Sequence, residues 1–174
     1  MKLDSDDFEL FGVPRRFAQH RAELDSRWRA LQAEVHPDRF AAEGAAAQRV
    51  AMQWAVRINE AYRRLRNPLS RAAYLCQLHG MDVGAEDNTA MPAAFLMQQM
   101  QWRESLAEAP DLAAVDALAD EVAATRDATL RTLAAQIDES DPVDWSAVAA
   151  TVRGLMFVDR FLADIDRRIE ALQD

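Results

Sequence analysis

Residues Leu24–Phe40 read LDSRWRALQAEVHPDRF, and the interruption at His36-Pro37-Asp38 decides how the chain around it folds. Before it, Leu24, Trp28, Leu31 and Val35 fall at i, i+4, i+7 and i+11, one apolar stripe of an α-helix. After it, Val50, Trp54, Ile58, Ala61 and Leu65 make a second stripe with steps of 4, 4, 3 and 4. Pro37 cannot extend the first helix. It lacks an N–H, and it disfavours the α conformation at His36. Two amphipathic helices, at roughly residues 21–35 and 45–66, are therefore expected to pack antiparallel through their apolar faces. His36, Pro37 and Asp38 then sit exposed in a polar loop at the tip.

Outward from this hairpin, Asp6 or Asp7 can cap a short helix carrying Phe8, Leu10 and Phe11, ended by Gly12 and Pro14. Pro68 suits the first turn of a fourth helix, with Leu69, Ala72, Ala73, Leu75 and Leu78 as candidate core. Gly80 fits its C-terminal cap. The stretch GMDVGAEDNTAMP at 80–92 holds Gly, Asn and Pro and few large apolar residues, the composition of a linker. Three more helical patterns follow, at about 92–108, 111–138 and 144–172. In the last, Val148, Val152, Leu155, Leu162, Ile165, Ile169 and Leu172 approach a heptad seam, as in an antiparallel three-helix bundle. The reading is all-α, with a domain at 1–80, a linker at 81–91 and a bundle at 92–174.

Composition limits what such a chain does. Half of the 174 residues are hydrophobic, only five are Gly, and no β-branched alternating run occurs. No apolar stretch looks like a signal peptide or a membrane span, which points to the cytoplasm. The net charge of −9 is unevenly divided. Residues 1–80 carry 13 basic and 10 acidic side chains, a net of +3, and residues 81–174 carry 7 and 19, a net of −12. An acidic second half argues against nucleic acid as a partner.

Candidate chemistry is sparse. His36 and Asp38 are close in sequence, but no pattern places a third ligand or a nucleophile beside them. His20, His79 and the single Cys76 fall in no metal-binding spacing. His20 belongs near the start of the second helix, His79 near the end of the fourth, and Cys76 reads as a small buried hydrophobe. No Gly loop is present to cradle phosphates. The expectation is a protein that is not an enzyme and holds no cofactor or metal.

The second domain has more apolar surface than one core needs. In its first helix Phe95, Trp102 and Leu106 form one face, and Leu96 and Met100 form another with Met97 beside it. In its last helix Phe157 lies about 200° around from Leu155, and Phe161 extends that second stripe. An exposed patch of Leu96, Met97, Met100 and Phe157 would mark a protein interface.

Three segments, LFGVPRRF at 10–17, LDSRWRALQAEVHPDRF at 24–40 and INEAYRRLRNPLSRAAYL at 58–75, together resemble the J domain of DnaJ-type co-chaperones. That domain stimulates a DnaK-type ATPase chaperone. RAAYLCQLHGMDV at 71–83, AFLMQQMQWRESL at 94–106 and TVRGLMFVDRF at 151–161 narrow the likeness to the HscB family. The resemblance implies a J domain activating an HscA-like chaperone and a bundle binding an IscU-like scaffold, with iron–sulfur protein maturation as the outcome. It implies chaperone contacts at His36, Pro37 and Asp38, and makes Arg27 and Arg29 candidates for steering onto an acidic surface of the ATPase. Scaffold contacts are implied at Leu96, Met97, Met100 and Phe157, with acidic support from Glu104 and Glu108. Gln101 stands where the family often has an acid. A J-domain protein with a different client is the alternative within this class. A helical metalloenzyme or redox protein using His and Cys is the alternative outside it.

Overall fold

The computed structural model describes residues 5–84 and 91–173, apart from the side chains of Pro37, Ala41 and Glu43. Residues 85–90 of the expected linker lie outside the described residues. Every regular element among the described residues is helical: α1 (Asp7–Phe11), α2 (Arg21–Glu34), a 3-10 helix (Pro37–Glu43), α3 (Ala45–Arg66), α4 (Pro68–Leu78), α5 (Ala93–Glu108), α6 (Leu112–Asp138) and α7 (Trp145–Gln173). The chain divides into two compact units, Met1–Leu75 and Cys76–Asp174.

The first unit is assembled on α3. Asp6 caps α1, its carboxylate accepting the Glu9 N–H at 2.9 Å. Gly12 ends α1 at φ 61°, a left-handed conformation open to glycine without strain. Phe8 and Phe11 are thereby driven into the core with Leu24, Ile58, Ala61, Leu65 and Leu75. Asp7 is fully buried rather than capping. Arg57 and Arg64 of α3 hold its two oxygens at 2.6 and 2.7 Å, and its own N–H donates to the Tyr74 hydroxyl at 3.1 Å. A buried carboxylate needs such partners, because an unpaired charge there would cost several kcal/mol.

The α2–α3 seam is apolar at its centre and polar along one side. Trp28 donates to the Asn59 side-chain oxygen at 2.9 Å, and Gln32 donates to the same atom at 2.9 Å. Trp28 stacks on Tyr62 at 5.1 Å, and the Tyr62 hydroxyl donates to Asp25 at 2.6 Å, a bond that raises the phenol pKa above its ordinary value. The apolar stripe of α3 starts one residue later than the sequence reading has it. Val50 is 52% exposed and Ala51 is buried. Eight residues back from Ile58 is about 80° around a helix, whereas seven residues back is about 20°.

The second unit is an α6–α7 antiparallel pair with the shorter α5 laid along part of it. At 1.5 Å per residue, α5 spans about 24 Å against about 40 Å for its neighbours. Trp102, Val115, Leu118, Val122, Val158, Phe161 and Ile165 form the core under α5. Arg126 of α6 pairs with Asp159 of α7 at 2.6 Å. Phe161 is a correction to the expected second stripe. It is buried and stacks on Trp102 at 5.7 Å, because α7 buries two adjoining flanks, one toward α6 and one toward α5. Leu78 and Leu172, both expected in core positions, lie at the ends of α4 and α7 and are exposed. Cys76 is buried as expected, and burial pushes its thiol from an ordinary 9.0 up to about 11.

Candidate functional site

Two exposed features stand out, one in each unit. The first follows α2. Its last turn ends at Val35, and Pro37 opens a 3-10 helix rather than an unstructured loop, with His36 as the cap. Pro suits that first position because its missing N–H would have had no partner there. The Asp38 N–H donates to His36 Nδ1 at 3.3 Å, and the same nitrogen lies 3.6 Å from an Asp38 carboxylate oxygen. Nδ1 therefore acts as an acceptor in this geometry. The two side chains are 60% and 91% exposed, so neither owes its place to packing.

Arg39 was not singled out by the sequence reading. It donates to the Ala33 carbonyl at 3.0 Å and ties the tip back to the last turn of α2. The signal for it is a cation just past a helix C-terminus, where carbonyls lack intrahelical partners. Arg27 and Arg29 are both exposed on α2. Among the described residues Arg27 makes only a long pair, with Glu23 at 4.0 Å, one turn back. No group of three or more His, Cys, Asp or Glu able to hold a metal occurs among the described residues.

The second feature is the outer face of α5. At about 100° per residue, Phe95, Trp102, Leu106 and Ala109 share a narrow arc that faces the core. Leu96, Met97, Met100, Gln101, Glu104 and Glu108 occupy a different arc, about 140° wide, largely opposite. The structure leaves that arc uncovered. Leu96 is 50%, Met97 62% and Met100 70% exposed, and Gln101, Glu104 and Glu108 are exposed with them. One end of the face is thus apolar and the other acidic.

Phe157 reaches the same neighbourhood from α7. It is half-buried, its ring edge-on to Phe95 at 6.0 Å, with the Arg160 guanidinium 5.9 Å from its centroid. It also lines a groove with Gln99 and Arg103, which flank Leu96 and Met100 on α5. Phe157 thus stands at the α7 edge of the exposed apolar face. Its own orientation follows from the Phe95 contact, which the helical pattern could not supply. No helix among the described residues is long and apolar enough to cross a membrane.

The family model of the HscB C-terminal oligomerisation domain matches residues 91–166. A co-chaperone protein HscB homolog from Burkholderia thailandensis is 51% identical, the match covering 99% of each chain. Among solved structures, chaperone HscB from Vibrio cholerae superposes with a TM-score of 0.83 at 35% identity, covering 97% of this chain and 99% of that one. Human co-chaperone protein HscB superposes with a TM-score of 0.89 at 27% identity, covering 96% of this chain and 83% of that one. The chain belongs to the HscB family of co-chaperones.

Proposed function

We propose that this HscB-family chain is a cytoplasmic, non-catalytic co-chaperone of iron–sulfur cluster assembly. Its first domain, residues 1–80, engages an HscA-like DnaK-type ATPase through His36, Pro37 and Asp38, with Arg27 and Arg29 steering the approach. The ATP is bound and hydrolysed by that partner. Its bundle, residues 92–174, binds an IscU-like scaffold through Leu96, Met97, Met100 and Phe157, with Glu104 and Glu108 alongside. Coupling the two raises hydrolysis when the client is in place and promotes cluster transfer to acceptor proteins.

The observation that carries this reading is the uncovered α5 face. Three large apolar side chains at 50–70% exposure, directed away from a core that is already filled, gain most by burial against another protein. Methionines suit that role because a flexible thioether follows an irregular surface. Exposed His36 and Asp38, held by one local hydrogen bond, support a recognition role at the hairpin tip.

The test is a steady-state ATPase assay of the HscA-like chaperone with this protein, with the scaffold, and with both. Stimulation by the pair should exceed the sum of the separate effects. A response to the pair that equals that sum would leave a J-domain protein for another client as the better account.

A further inference from the structure

Residues 81–174 carry 7 basic side chains against 19 acidic ones, yet three of those seven line one groove. The groove, about 270 Å³, runs between α5 and α7 beside Phe157 and includes Gln99, Arg103, Arg160, Asp164 and Arg167. Arg167 is paired with Asp164 one turn away. Arg103 and Arg160 are exposed, and neither has an ion pair among the described residues. Arg160 instead lies near the Phe157 ring. The amide nitrogen of Gln99 is shut off from solvent and has no acceptor among the described residues. One rim of the apolar face therefore offers two guanidinium groups beside a carboxylate, Asp164, that Arg167 already engages. The other rim offers Glu104 and Glu108.

We infer that this groove receives an acidic side chain of the protein that docks on Leu96, Met97 and Met100. The inference rests on the scaffold reading of that face and adds a polarity to it. A partner must present an acid beside its contact with Phe157 and bases beyond Met100, so the charges fix which way round it sits. A guanidinium binds a carboxylate through two parallel N–H donors, which makes the contact directional as well as attractive. In a bundle of net negative charge, two uncompensated arginines beside an aromatic anchor form the local site where an acidic partner residue is not repelled.

The test is calorimetric titration of the full chain with an IscU-like scaffold at low and at high ionic strength. Arg103→Glu with Arg160→Glu should weaken binding about tenfold at low salt. The deficit should shrink toward twofold at high salt, since exposed charges are screened. Arg103→Lys with Arg160→Lys should stay near wild type, and both double variants should melt normally. If the Glu pair melts low, Arg103→Gln with Arg160→Gln, expected at about threefold, decides instead. Wild-type affinity and salt dependence in the charge-reversed protein would overturn the inference, as would tighter binding. Phe157→Ala in the same series separates the two levels. If it weakens binding while charge reversal does not, the scaffold reading stands and the groove assignment falls. If the wild-type chain binds no scaffold, both fall.

Discussion

His36 and Asp38 are held by little besides each other. One 3.3 Å hydrogen bond and the Pro37 turn set their geometry, and both side chains face solvent. Groups placed this way contribute little to folding, so a defect in them should appear in recognition alone. His36→Gln or Asp38→Asn is expected to abolish stimulation of the chaperone ATPase and to change stability by no more than about 0.5 kcal/mol, the usual range for surface changes. Steady-state hydrolysis and thermal melts on the same samples check this. The two phenylalanines of α7 make the opposite comparison. Phe161 is buried against Trp102, so Phe161→Ala should cost about 3–5 kcal/mol of stability. Phe157 is half-buried at the edge of the α5 face. Phe157→Ala should cost clearly less stability than Phe161→Ala and weaken scaffold binding at least about 30-fold, the scale on which truncating an aromatic anchor acts. A large loss of melting temperature with normal affinity in Phe157→Ala would make it a packing residue.

Helix boundaries were legible because their chemistry is local. Asp6, Gly12, Pro37 and Pro68 each act within a turn of where they stand, and α2, α3, α5, α6 and α7 begin and end within about two residues of the pattern-based ranges. Which residues face inward was less legible, because that depends on neighbours. Phe161 looks like surface when α7 is read against one partner and becomes core when α5 lies on a second flank. Asp7 reads as a cap from its position, but Arg57 and Arg64 arrive 50 or more residues later in the sequence, and only the folded unit brings them to it. The exposed α5 face was legible because it is an excess within one helix, countable without knowing any neighbour. One element-level consequence concerns Gly154, buried in the middle of α7. A methyl group there would sit 3.6 Å from the Phe95 ring, an ordinary van der Waals distance. Helix propensity favours Ala over Gly by about 0.8–1.0 kcal/mol. Gly154→Ala should therefore raise stability by about 0.5–1 kcal/mol, read as a shifted denaturation midpoint with an unchanged slope. A lowered midpoint would mean that Phe95 cannot keep its place beside Phe157.

At the scale of the whole chain, the proposed division of labour puts the ATPase contact and the client contact on different units. The charge break at residue 80 and the Gly-containing linker lead to the same partition. The second unit, however, begins within α4. His79, which belongs to that unit, stacks on Trp145 at 3.9 Å. A fragment starting at residue 88 loses this contact, and one starting at residue 76 keeps it. The 76–174 fragment is expected to melt higher than 88–174. Both should bind the scaffold, because the α5 face and Phe157 are intact in each. Neither should stimulate the chaperone ATPase, and a 1–80 fragment should stimulate it weakly and ignore the scaffold. Mixed in trans, 1–80 and 76–174 should still not restore the response to scaffold seen with the full chain. Linkage raises the local concentration of the second site once the first is occupied, and separate pieces at micromolar concentration fall short of the roughly millimolar value a short linker supplies. Scaffold-dependent stimulation by the mixture at such concentrations would show that covalent coupling is dispensable. Loss of scaffold binding by both bundle fragments would place part of the client contact on the first unit.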